Sequence, residues 1–158
     1  MRPTDFDELA FFRAIHTSGA RALLIGRRAL VLLGLPVLTA DYDFWIAIDD
    51  IARFNEAAST VDLKPSHTPE EARQRGRYVL ENDEHVDVLI ARSVPTVAGQ
   101  PVVFEELWNT RRSIALTPEV NVQIPAIDGL ILTKQIGARP KDLEDIRLLR
   151  IRQEEEAT

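Results

Sequence analysis

Asp41 and Asp43 stand two residues apart in the run L-T-A-D-Y-D-F-W-I-A-I. On an extended strand, residues i and i+2 face the same side. The spacing therefore predicts two carboxylates side by side, with Phe44, Ile46 and Ile48 turned the other way into a core. Like charges held that close repel, and an apolar reverse face screens them poorly. A divalent cation with oxygen ligands relieves the repulsion, most often Mg2+, with Mn2+ as the substitute. Asp87 is a third acid of interest. In H-V-D-V-L-I-A, Val86, Val88 and Ile90 share one strand face, and His85, Asp87 and Leu89 share the other. A carboxylate inside an apolar strand is costly unless it is paired or metal-bound. Lys134 is the matching anomaly in a helix, on the same face as Ile127, Leu130, Ile131 and Ala138. Ammonium groups seldom point inward without a partner, although a lysine stem can also cover apolar surface while its head reaches water.

These residues need a scaffold. Ala22 to Ile25 reads as a buried strand, Gly26 as a tight turn, and Arg27 to about Leu33 as a short helix broken at Gly34 and Pro36. The strand carrying Asp41 and Asp43 follows. Upstream, Thr4 with Asp7 resembles a capping box that opens a helix ending at Ser18-Gly19. Downstream, Asp49-Asp50 starts a helix with Ile51, Phe54 and Ala58 inward, and Thr68-Pro69-Glu70-Glu71 starts another. Arg73, Arg75 and Arg77 crowd the end of that segment, as a solvated face or as a rim facing phosphate. Arg77 to Leu80 and Glu84 to Ala91 read as strands joined at Asn82-Asp83. Pro95 to Pro101 reads as a loop, with short strands at Val102 to Phe104, Ser113 to Thr117 and Val120 to Ile124 and a helical turn at Glu105 to Asn109. Helices at Ala126 to Ala138 and from Pro140 onward complete an α/β (α+β) domain.

A chain of 158 residues suits one compact domain, 1–158, with no repeat or linker to divide it. The absence of cysteine excludes disulfides, thiolate catalysis and cysteine zinc sites. No apolar run is long enough to span a membrane and no signal-type segment opens the chain, so a cytoplasmic location without membrane partners is the expectation. A net charge of −6 argues against a general nucleic-acid coat protein. It leaves room for a local basic groove, because sixteen arginines accompany only three lysines.

Gly26, the gap that follows it, and Asp41-Tyr42-Asp43-Phe44 together resemble the signature of the nucleotidyltransferase fold superfamily. The run I-D-G-L-I-L-T-K-Q-I-G-A-R-P-K-D-L-E-D-I is similar to the C-terminal segment of its small bacterial members, including toxin and abortive-infection types. The resemblance covers roughly Ala22 to Leu149. It implies a mixed β-sheet flanked by helices and Mg2+-dependent transfer of an NMP group from an NTP to an acceptor: tRNA, a protein hydroxyl or a small molecule. It implies that Asp41, Asp43 and Asp87 hold the metal and act in catalysis, and that Lys134 steadies the phosphates or developing charge. Gly26, Arg27, Thr39, Lys134 and Asp142 would line the nucleotide site, with Asp142 orienting Lys134 or pairing with Arg139. Asp145 is read as structural. A toxin–antitoxin or phage-defence role, with an antitoxin partner, follows only by analogy.

Two positions depart from the family pattern. Arg27 stands where a small residue usually follows the glycine, and Val37 where many members have arginine. Arg27 could obstruct the triphosphate, meet it bidentately or point to solvent. The rival function is therefore a catalytically inactive relative that binds a nucleotide or a partner protein.

Overall fold

The computed structural model describes residues 6–158. A five-stranded mixed sheet supports the molecule, in the order β1 (Ala22–Ile25), β2 (Tyr42–Ile46), β5 (His85–Leu89), β4 (Arg77–Glu81) and β3 (Lys64–Pro65). β2 and β5 run parallel, and every other neighbouring pair is antiparallel. Parallel neighbours need a long crossover. Here it contains α3 (Ile51–Ser59), β3, α4 (Pro69–Arg75) and β4. The α/β architecture expected from the sequence is the one observed.

Helix α1 (Glu8–Ser18) and α3 pack behind the sheet, where Phe11, Phe12, Phe44 and Phe54 form the centre of the main core. Each fully buried side chain of that size contributes roughly 1.5–3 kcal/mol. Thr4 lies outside the described residues; the α1 cap is Asp7, whose carboxylate accepts from the Ala10 N–H at 2.9 Å. Helix α4 begins as its sequence dictates, with a reciprocal Thr68–Glu71 capping box and Pro69 in the first turn.

The site side of the sheet is not bare. Leu23 and Trp45 project there and meet Val102, Phe104 and Leu107, from the hairpin β6 (Ser93–Pro95)–β7 (Pro101–Val103) and from α5 (Phe104–Asn109). Both faces of β2 are thus buried, and the Trp45 indole donates to the Ala91 carbonyl at 2.8 Å. A second hairpin, β8 (Arg112–Thr117) and β9 (Val120–Ile124), packs on α1 and β1. Helices α6 (Ile127–Lys134) and α7 (Pro140–Ala157) close the domain, with Leu130, Ile146 and Leu149 in the main core. Among the described residues no helix is long and apolar enough to cross a membrane.

Candidate functional site

In-register strand partners present their side chains on the same face. One row across the sheet therefore reads Ile25, Asp43, Asp87 and Val79, and the next reads Leu23, Trp45, Leu89 and Arg77. The two aspartates predicted from separate parts of the sequence are direct cross-strand neighbours. Asp41 lies one residue before β2 begins and is exposed, so it extends the acidic row from a turn rather than from the strand itself. That turn is held by the Thr39 hydroxyl, which accepts from the Asp41 N–H at 3.1 Å. Arg28 steadies it further, donating to the Thr39 and Asp41 carbonyls while stacking on the Tyr42 ring at 4.1 Å.

Gly26 abuts Asp43. Its φ is +70°, and a Cβ placed there would lie 2.5 Å from Asp43 Oδ2. Only glycine combines that backbone conformation with so close an approach. Burial pushes the Asp43 carboxyl up to about 6, and the charges of Asp87 and Asp41 push the same way, against the opposing pull of Lys134 and Lys141. Asp87 has a neighbour of its own in His85, whose Nε2 is 3.2 Å from Asp87 Oδ1.

The cationic wall comes from α6, α7 and α2 (Gly26–Leu32). Lys134 is 6 % exposed and its Nζ lies 2.8 Å from Asp145 Oδ2, while Asp145 is fully buried. Arg27 grips the same carboxylate, with Nε 3.2 and 3.1 Å from its two oxygens. The residue read as structural is thus the shared counter-ion of two residues expected at the nucleotide. Arg27 takes a course outside the three considered: it pairs with Asp145 while still lining the cleft. Asp142 accepts from Arg139 Nε at 3.0 Å and lies 3.8 Å from Lys134 Nζ. Burial alone would raise the Asp142 carboxyl, but the bonds from the Arg139 side chain and backbone outweigh it and hold the carboxyl below its ordinary value.

Gly26, Arg27, Thr39, Asp41, Asp43, Asp87, Lys134 and Asp142 all line one cleft of about 410 Å³. Sequence reasoning missed Lys141 and the service of Arg28, and left Arg77 undecided; an isolated arginine or lysine carries no spacing signal. Among the described residues, no three acidic or histidine side chains are drawn together tightly enough to form a ready-made ion site. The donor set nonetheless suits Mg2+ or Mn2+. Asp43 and Asp87 are adjacent oxygen donors around an under-neutralised carboxylate. Mg2+ is generally held by one or two carboxylates with substrate phosphates completing its shell.

The mixed sheet and its flanking helices share the fold of solved nucleotidyltransferase structures. The chain is similar to the lincosamide antibiotic adenylyltransferase LnuA in its lincomycin-bound form, at 13% identity over 93% of this chain and 98% of that one, with a TM-score of 0.62. It is similar to ANT(2'')-Ia in complex with adenylyl-2''-tobramycin, at 13% identity over 89% of this chain and 84% of that one, with a TM-score of 0.61. Protein TM1012 of Thermotoga maritima, classed with the nucleotidyltransferases, aligns at 15% identity over 88% and 89% of the two chains, with a TM-score of 0.58. No family model and no curated protein matches the sequence.

Proposed function

We propose that the protein transfers a nucleoside monophosphate from an NTP to an acceptor hydroxyl. The observation that carries this reading is the register of Asp43 against Asp87 beside the Gly26 bend, with Asp43 under-neutralised. In the reaction, the acceptor oxygen bonds to the α-phosphorus and the bond to the β-phosphate oxygen breaks. Pyrophosphate leaves with that electron pair. Asp87, whose side chain is 43 % exposed, takes the hydroxyl proton. Asp41, Asp43 and Asp87 would hold Mg2+ or Mn2+, which supplies charge neutralisation and orients the phosphates. Lys134, kept in place by Asp145 and Asp142, offers fixed positive charge to the triphosphate. Lys141 adds a second cation on the same side, and the Gly26 bend lets phosphate oxygens approach the backbone. Thr39 keeps Asp41 turned toward the cleft.

The fold shared with two antibiotic-modifying proteins supports nucleotidyl transfer in general. The toxin–antitoxin or phage-defence role and the tRNA or protein acceptor rest on the sequence resemblance. The test is incubation with each α-labelled NTP and Mg2+ against RNA, protein and small-molecule acceptors. Label transfer that disappears in Asp43→Asn and Asp87→Asn is expected. Tight NTP binding with no transfer to any acceptor would instead establish the inactive nucleotide-binding relative.

A further inference from the structure

A separate hollow of about 180 Å³ lies away from the acidic cleft. Phe12 and Ile15 of α1, Phe44 of β2, Trp108 of α5 and Val122 of β9 form its walls. Of the residues that line the cleft it shares only Phe44. Packed interiors hold few voids larger than a water molecule, so a recess of this size among core side chains has room for a ligand. An apolar cavity of about 150 Å³ holds a benzene ring. Three of the walls here are aromatic, and rings pack well against such walls edge-to-face or offset. The space suits one six-membered ring with a small substituent.

The rim of the hollow is polar and carries one fixed cation. Arg111 is stacked on Trp108, its Cζ 3.9 Å from the ring centroid. Its Nε donates to Gln123 Oε1 at 3.1 Å, and its Nη1 donates to the Trp108 carbonyl at 2.9 Å. Gln123 is held in turn, its Nε2 donating to the Ser113 hydroxyl at 3.0 Å across the β8–β9 ladder. The guanidinium is therefore anchored, yet among the described residues Nη2 has no partner and Arg111 makes no ion pair. His16 lines the same rim. Its Nδ1 accepts from the Asn121 N–H at 3.4 Å, which leaves Nε2 to carry the proton of the neutral ring. No aspartate or glutamate lines the hollow. On a chain of net charge −6, an arginine fixed beside an apolar recess with no acidic partner is complementary to a carboxylate.

We infer that this recess binds a small aromatic carboxylate of the benzoate class. The ring sits among Phe12, Phe44 and Trp108, and the carboxylate accepts from Arg111 and His16. The site is distinct from the acidic cleft and does not depend on nucleotidyl transfer.

The experiment uses the full chain with benzoate as the probe, followed by calorimetry, thermal unfolding and tryptophan emission. A Kd on the order of 1 mM is expected for so small a ligand, with a rise in Tm and an emission change that disappears in Trp108→Phe. Arg111→Met keeps an apolar stem over Trp108 and should weaken binding about 10- to 100-fold, as for the loss of a charge-assisted hydrogen bond. Arg111→Lys should recover part of that loss. Benzylammonium, a similar ring with the opposite charge, should not bind, and this comparison needs no variant. Saturating ATP with Mg2+ should leave benzoate binding unchanged. A wild-type protein that binds no benzoate overturns the inference, as does equal affinity for benzylammonium or undiminished affinity in Arg111→Met. Displacement of benzoate by ATP would place it in the acidic cleft beside Lys134 and overturns the inference as well.

Discussion

Asp43→Asn should make the protein more stable while abolishing transfer. Asp43 accepts no side-chain hydrogen bond in the described structure, so the amide removes charge without breaking a recorded contact. The folded carboxyl is held at about 6, against an ordinary value of 3.8. Because the folded state binds that proton more tightly than the unfolded chain, ionising Asp43 works against folding. The sign follows directly. Wild-type stability falls relative to the variant as pH rises from 3.8 to about 6, and the gap is constant above that. The full difference corresponds to about 3 kcal/mol at most, or a Tm gain of about 6–12 °C for a domain of this size. Urea denaturation of both proteins in EDTA, from pH 4 to pH 8, measures it. The curves should nearly coincide at pH 4 and stand apart above pH 6. Adding Mg2+ with a non-hydrolysable NTP should narrow the gap by stabilising the wild type. An asparagine variant no more stable at pH 7.5, or a gap independent of pH, would refute the account of Asp43 as an under-neutralised carboxylate.

Gly26→Ala should cost about 1–3 kcal/mol in strain and remove label transfer, since its Cβ meets Asp43 Oδ2 at 2.5 Å; an active, equally stable variant would contradict the described bend. Asp145→Ala should cost about 3–5 kcal/mol by leaving Lys134 and Arg27 without their shared carboxylate. The double variant Asp145→Leu/Lys134→Met should regain much of that stability in urea but no transfer, and recovery of transfer would remove Lys134 from the site. Thr68→Ala should lose about 1 kcal/mol through the α4 cap with labelling intact, and a drop in labelling would mean that α4 reaches further into the chemistry than its position suggests.

Much of the site could be read in the sequence because its signals are local. Asp41 and Asp43 announce themselves by period-two spacing, Asp87 by interrupting an apolar strand, and Gly26 by standing between a strand and a helix. The α4 cap and the start of α7 are equally local, written in four residues each. What sequence reading missed is non-local. Nothing near Arg27 says that its partner is Asp145, 118 residues on. Asp145 itself resembles any acid in the second turn of a helix. The alternation Phe44, Ile46, Ile48 correctly marked the main core, yet Trp45 gave no sign that Phe104 and Leu107 would cover its side of the sheet too. That second cluster depends on the β6–β7 hairpin, whose first strand, Ser93–Pro95, has no element of its own in the sequence reading and ends where the Pro95 to Pro101 loop is drawn. Two residues of β3 were too few to carry any alternation at all.

The bond from Arg27 to Asp145 also has a consequence in time. A ribosome adding about 5–20 residues each second needs roughly 6–24 s to travel from one to the other. Asp43, Asp87 and Lys134 are all made within that interval, before Asp145. Until Asp145 is made, Arg27 and Lys134 lack the carboxylate that holds both in the folded protein.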